Sequence, residues 1–209
     1  QYLDAPFTGS RDAAEAGELV FLIGGASATL EKVRAQLEVN ARQILPIGEI
    51  GQAAAMKIAT NLMAAVMVGS LAEAMCLLER SGIPLHKLGE VLPHHAANST
   101  LAEMKIPGMI VDDFDPHFSL KHMFKDVQIA LAMAEEFGLE LPEAAAYAGS
   151  AMAGLQKGWG EMDFSSVAKH YGFPSDKNEI PDSLQKQGDA PVADAENKKK
   201  RFSLFGRKD

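Results

Sequence analysis

The chain has 209 residues, of which 47% are hydrophobic and 23% charged, and its formal net charge is −8. That length holds one large domain or two small ones, and the composition is that of an ordinary globular protein. The negative balance argues against nucleic acid as a general partner, because a binder of the phosphate backbone needs a positive field.

The chain opens at Gln1 with neither an initiator methionine nor a secretory signal, directly in a strand-like segment; we read it as a piece of a longer product. Residues 2–10 (YLDAPFTGS) read as a short strand ending at Pro6, then a Thr8-Gly9-Ser10 turn. Such a turn is either a plain chain reversal or a backbone nest. In the second case Gly9 lets the main chain approach a ligand, and adjacent N–H groups hold an anion. Residues 11–17 are a polar link with a short helical turn, and 18–24 (ELVFLIG), closed by Gly24 and Gly25, are the clearest strand. A helix capped by Ser27 or Thr29 runs to about Asn40, and 43–47 (QILPI) is another short strand. Two or three short strands do not make a stable sheet alone, so residues 1–47 are α/β material belonging to something larger.

Residues 48–73 (GEIGQAAAMKIATNLMAAVMVGSLAE) begin with two glycines and then run without proline, rich in Ala, Met, Leu and Val. This predicts one long helix, apolar on most faces. Lys57 and Asn61, at i and i+4, share one face a turn apart. A lysine in so apolar a setting either snorkels outward or is held in a cleft for a purpose. Lys57, Asn61 and Glu73 make the helix a poor membrane span, so stable membrane insertion is not expected. Cys76, the only cysteine, excludes an internal disulfide and a cysteine-based metal site. It reads as a buried thiol, compatible with a reducing cytosol.

Beyond a Gly82-Ile83-Pro84 break, 86–92 predict a helix ended by Pro93, and 101–110 a helix running up to Pro107. Five of the six histidines lie between His86 and His122, but none of their spacings matches a ligand pattern, and no metal is expected. Residues 118–137 (FSLKHMFKDVQIALAMAEEF) form a strong amphipathic helix whose apolar face runs from Leu120 and Met123 to Ala134, stopped by Gly138. Its Lys125-Asp126 pair reads by pattern as surface charge. Residues 143–157 make a final long helix, and 163–170 a short one capped by Asp163. From Pro174 the composition is that of a disordered tail ending in KKKRFSLFGRKD. That end is either solvated or a docking motif for acidic surfaces anchored by Phe202 and Phe205, which vesicle binding with and without the two rings would decide.

Taken together, Gly48, Gly51, Lys57 and Asn61 resemble the catalytic helix of the β-hydroxyacid dehydrogenase family, nearest its glyoxylate/succinic semialdehyde reductase branch. The stretch DAPFTGSRDAAEAGELVFLIGG is similar to the family's substrate-binding segment, with Thr8 where serine is usual and Ser10 in the third position as in that branch. FSLKHMFKDVQIALAMA looks like the family's third signature, which carries a Lys-Asp pair. The resemblance spans about residues 2–173.

It implies a mainly α fold: the all-helical C-terminal domain of a 6-phosphogluconate dehydrogenase-like fold, preceded by the last β/α elements of a Rossmann domain. The division implied is 1–47 for the Rossmann remnant, 48–173 for the helical substrate and dimerisation domain, and 174–209 for the tail. It implies an NAD(P)-dependent oxidoreductase of small hydroxy acids or aldehyde acids, cytoplasmic and homodimeric or larger, using NADP or NAD. In that scheme Lys57 is general acid and base, and Asn61 orients it or the substrate. Thr8, Gly9 and Ser10 hold the substrate carboxylate. Lys125 reaches the cofactor, and Asp126 stabilises the local structure. No G-x-G-x-x-G follows a strand, so the pyrophosphate turn is missing and the chain alone is expected to be inactive. The alternative is a non-catalytic helical module for dimerisation or partner binding, since the apolar length of 51–78 asks for cover.

Overall fold

A computed structural model of the chain describes residues 1–9 and 11–172. Ser10 and the stretch read as a tail, 174–209, lie outside the described residues.

The N-terminal part is a three-stranded sheet in the order β1 (Phe7–Thr8), β2 (Leu19–Gly24), β3 (Ala41–Gly48). Helix α1 (Arg11–Glu15) joins the antiparallel pair β1–β2, and α2 (Ser27–Glu38) crosses between the parallel pair β2–β3. The first strand does not end at Pro6 as expected. Phe7 pairs with Phe21 and Thr8 with Val20, so Thr8 is a strand residue at the lip of the turn. The Phe7 and Phe21 rings meet edge to face, which favours the longer pairing. Neither Ser27 nor Thr29 caps α2: its N-cap is Ala26, without a side-chain bond, and Ser27 already lies in the first turn. Leu22, Ile23 and Leu30 are the buried centre of this layer.

The helical part is organised around α3 (Gln52–Arg80). Ala65, Val68, Ala72 and Met75 recur at helical spacing and are completely or almost completely buried. Val68 joins Leu120, Met123 and Val127 of α6 (Leu120–Glu136) and Tyr147 of α7 (Pro142–Gln156) in one core. Met75 joins Leu85 and Met109 in a second, under α4 (His86–Val91) and α5 (Thr100–Val111). By length and composition alone α3 would cross a membrane, yet one stripe of it is spent on these two cores. Cys76 is half-buried rather than buried, one position round from that stripe.

Proline places two helix ends differently from expectation. Pro107 lies inside α5, which continues to Val111, because Ile106, Met109 and Ile110 on either side are buried and their burial outweighs the lost hydrogen bond. Pro93 sits within a 3-10 turn, Leu92–His94, that extends α4 instead of closing it. The last helix among the described residues is a 3-10 helix, Phe164–Tyr171, and Asp163 caps it by accepting from the Ser165 N–H.

Candidate active site

Where β1 meets the first turns of α3 there is a cavity of about 370 Å³. Thr8 and Gly9 line it from the sheet, Lys57 and Asn61 from α3. Positions far apart in sequence are thus brought to one space. Gly9 has φ +134°, and a Cβ there would stand 2.9 Å from Leu19 Cδ2, so only glycine allows this close turn. The opposite wall is apolar and aromatic, from Phe118, Met123 and Phe164.

Lys57 is half-buried, and its side-chain ammonium makes no hydrogen bond or ion pair among the described residues; its backbone carbonyl accepts from Thr60 Oγ1 at 3.0 Å. Burial pushes its ammonium below the usual lysine range; the Asp126 charge works against that shift and the Lys125 charge adds to it. Asn61 donates from Nδ2 to Asp126 Oδ2 at 2.6 Å. A carboxylate can only accept, so this bond fixes which end of the amide faces Asp126. The Asn61 carbonyl oxygen therefore keeps its acceptor capacity. Asp126 is buried, and its other oxygen receives Lys125 Nζ at 2.6 Å. The pair is half a surface charge: Lys125 is 61% exposed and Asp126 8%. The helical period itself puts Asp126 on the buried face, three residues after Met123 and four before Ala130, and there it meets Asn61. Lys125 itself does not line the cavity, nor does Asp126, on which its ammonium is held.

Two groups in the wall were not singled out from sequence. Lys105, 4% exposed, is paired with Asp163 at 2.8 Å, and its Nζ lies 4.8 Å from the Phe164 ring centre. A lysine two residues before a proline on an apolar helix carries no local signal of burial; its partner is 58 residues away. Phe118 lay inside the quoted signature without a role, and its backbone N–H is held at 3.3 Å by Asp163 Oδ2. Arg42 also lines the cavity and is exposed.

A family model described as NAD-binding of NADP-dependent 3-hydroxyisobutyrate dehydrogenase matches residues 51–171, and one described as the NAD binding domain of 6-phosphogluconate dehydrogenase matches residues 1–48. The chain belongs to the β-hydroxyacid dehydrogenase family. The fold is the family's: an all-helical C-terminal domain preceded by the last β/α elements of a nucleotide-binding domain. Among family members, glyoxylate/succinic semialdehyde reductase 2 of Arabidopsis thaliana, named as chloroplastic, is 34% identical over 79% of this chain and 46% of its own length. Glyoxylate/succinic semialdehyde reductase 1 of the same plant is 30% identical over 83% of this chain and 60% of its own. The solved Mycobacterium tuberculosis 3-hydroxyisobutyrate dehydrogenase with L-serine superposes with a TM-score of 0.74 at 30% identity, covering 80% of this chain and 60% of that one. The chain therefore spans about half the length of the curated relatives it matches.

Proposed function

We propose that this chain supplies the substrate half of an NAD(P)-dependent oxidoreductase of small hydroxy acids or aldehyde acids, with Lys57 as general acid in reduction and base in oxidation. One observation carries the reading: Lys57, desolvated and without an ion-pair partner, shares a small cavity with Asn61 and with the Thr8-Gly9 turn. Bound there, NAD or NADP supplies or accepts the hydride. Lys57 gives its proton to the carbonyl oxygen as negative charge develops on it, and takes it back in the reverse direction. A depressed pKa suits both tasks, because the amine then changes protonation state closer to neutral pH. The free carbonyl oxygen of Asn61 accepts from the substrate hydroxyl and so orients it. The carboxylate end of the substrate rests on the backbone N–H groups of the Thr8-Gly9-Ser10 turn.

The residues present fit the reacting end of the cofactor and not its pyrophosphate. The cavity sets the unpaired Lys57 ammonium in a space that Phe118, Met123 and Phe164 also line, but no glycine-rich phosphate turn follows a strand in this sequence. In this reading Lys125, exposed and paired with Asp126, is the cation that closes over the cofactor. In the same reading residues 1–47 complete a nucleotide-binding domain and 48–173 form the substrate domain. The chain alone then binds NADPH or NADH weakly and turns over nothing. A cytoplasmic location belongs to this proposal.

Calorimetric titration of the 209-residue chain with NADPH and NADH tests the division. Absent or weak binding is expected; tight binding would mean that the helical part carries more of the cofactor site than proposed.

A second reading is favoured by the outer face of α3. Met56, Met63, Met67 and Leu77 are exposed there, and no charged residue stands between Lys57 and Glu73. This stripe fits a second copy of the chain, giving a homodimer through the helical part. Light scattering of Met63→Glu should then show a lighter particle than the parent; equal masses would count against it.

A further inference from the structure

The start of α3 is held by a residue that the mechanism above does not use. Its N-cap is Gly51, at φ +91°, which has no side chain to accept from the first-turn amides. The acceptor comes from 47 residues earlier: Asp4 Oδ2 receives the Gly51 N–H at 3.1 Å and the Ala54 N–H at 2.8 Å. A carboxylate at this end also meets the positive pole of a 29-residue helix. The surroundings are cut to admit it. A Cβ on Gly24 would stand 3.3 Å from Asp4 Oδ2 and 2.5 Å from the Glu49 carbonyl oxygen. Gln52 closes the other side by accepting the Glu49 N–H at 2.9 Å, and a Cβ on Gly48 would collide with that amide.

The same residue is fixed to the sheet. Asp4 exchanges both backbone hydrogen bonds with Gly24, at 2.9 and 2.7 Å. From there to the turn the chain is pinned on β2: the Pro6 carbonyl accepts from Leu22 N–H at 2.8 Å, Phe7 pairs with Phe21 and Thr8 with Val20. Residues 4–8 therefore form a short rigid rail. At one end is the turn that lines the cavity; at the other is the carboxylate that grips the helix carrying Lys57, three residues beyond Ala54.

We infer that Asp4 is a positioning residue: its carboxylate holds the Lys57 helix in register with the Thr8-Gly9 turn, so that the two walls of the cavity keep a fixed separation. This rests on the reading of the cavity as the reactive site. Asparagine at this position still accepts from both amides without the charge; alanine does neither.

The test compares the chain with its Asp4→Asn and Asp4→Ala variants by NMR, following the pH midpoint of the Lys57 side chain and the amide resonances of Thr8 and Gly9. Asp4→Asn should leave all of them near the parent. Asp4→Ala should raise the Lys57 midpoint toward that of a free lysine, as the helix loosens and the amine is rehydrated, and should move Thr8 and Gly9. Loss of a nearby negative charge alone lowers a lysine midpoint, so the sign separates loosening from charge. Equal shifts in both variants would overturn the inference in favour of charge. A lower melting temperature in Asp4→Ala with Lys57, Thr8 and Gly9 unmoved would reduce Asp4 to a plain cap and overturn it too. An ordinary midpoint for Lys57 in the parent would instead strike the catalytic reading. The Asp4 inference then stands only if Asp4→Ala, and not Asp4→Asn, shifts Thr8 and Gly9.

Discussion

Asp163→Ala should be among the most destabilising single substitutions in this chain. Asp163 Oδ2 accepts from Lys105 Nζ at 2.8 Å, His117 N at 3.1 Å and Phe118 N at 3.3 Å; Oδ1 accepts from Ser165 N at 3.0 Å and Ser165 Oγ at 2.7 Å. Both members of the ion pair are almost wholly buried, with side-chain exposures of 4% and 3%. Removing the carboxylate strands the Lys105 ammonium, and breaking a buried pair this way costs ~3–5 kcal/mol. The orphaned backbone donors add about 1 kcal/mol, since His117 and Phe118 are part-exposed and regain water. The sum, ~4–6 kcal/mol, is much of the ~5–15 kcal/mol that holds a typical domain. Lys105→Met is a milder perturbation. It leaves the carboxylate its other four hydrogen bonds and removes a charge that burial penalises, so we expect ~1–3 kcal/mol. Urea unfolding of the two variants and of Lys105→Met/Asp163→Asn measures all three. The double variant should be more stable than Asp163→Ala. A cost for Asp163→Ala below about 1 kcal/mol, or equal to that of Lys105→Met, would refute the reasoning.

Further outcomes follow from the same contacts. Burial raises the Asp163 carboxyl, but the Lys105 charge and the bonds from Lys105 and Ser165 outweigh it and hold it below the usual value of 3.8. Its contribution is therefore complete above that value and lost as pH falls through the lower folded midpoint. The gap in stability between the parent and Asp163→Asn should accordingly narrow in acid, and a constant gap in pH-dependent melts would contradict it. Lys57 has the opposite consequence: its folded midpoint lies below the ordinary one of 10.5, so the folded state resists its charge, and stability rises with pH between the two. Lys57→Met should raise neutral-pH stability and flatten that rise; a lower melting temperature would argue that Lys57 is not penalised by burial. Gly154→Ala places a Cβ 2.9 Å from Leu120 Cδ2 and 3.1 Å from Trp159 Cε3. The clash, ~1–3 kcal/mol, should exceed the ~0.5–1 kcal/mol gained from helix propensity, giving a lower melting temperature.

The long helices were legible because their signal is local. The alanine- and methionine-rich run gives α3, the period of Leu120, Met123 and Val127 gives α6, and Gly138 at φ +67° ends it where expected. The Asp163 cap was likewise readable, since donor and acceptor lie two residues apart. What failed depends on distant partners. Thr8 reads locally as a turn residue because its strand partner, Val20, is distant in sequence, and Pro107 reads as a helix end because the burial that carries α5 onward comes from other helices. The site divides the same way. Thr8, Gly9, Lys57 and Asn61 were picked out by motif, and the fold puts them on one cavity. Asp126 as anchor of Asn61, Lys105 in the wall, and Asp4 at the foot of α3 were invisible as such. Each is a charged residue whose burial or bonding is decided by a group from 47 to 65 residues away.

The most direct test of the central claim is turnover of glyoxylate and succinic semialdehyde with NADPH by the protein that carries this chain, alongside its Lys57→Ala variant. The account predicts that Lys57→Ala lowers turnover by about 100-fold or more, the scale of a lost general acid, while NADPH binds as before. Unchanged turnover in that variant would contradict it.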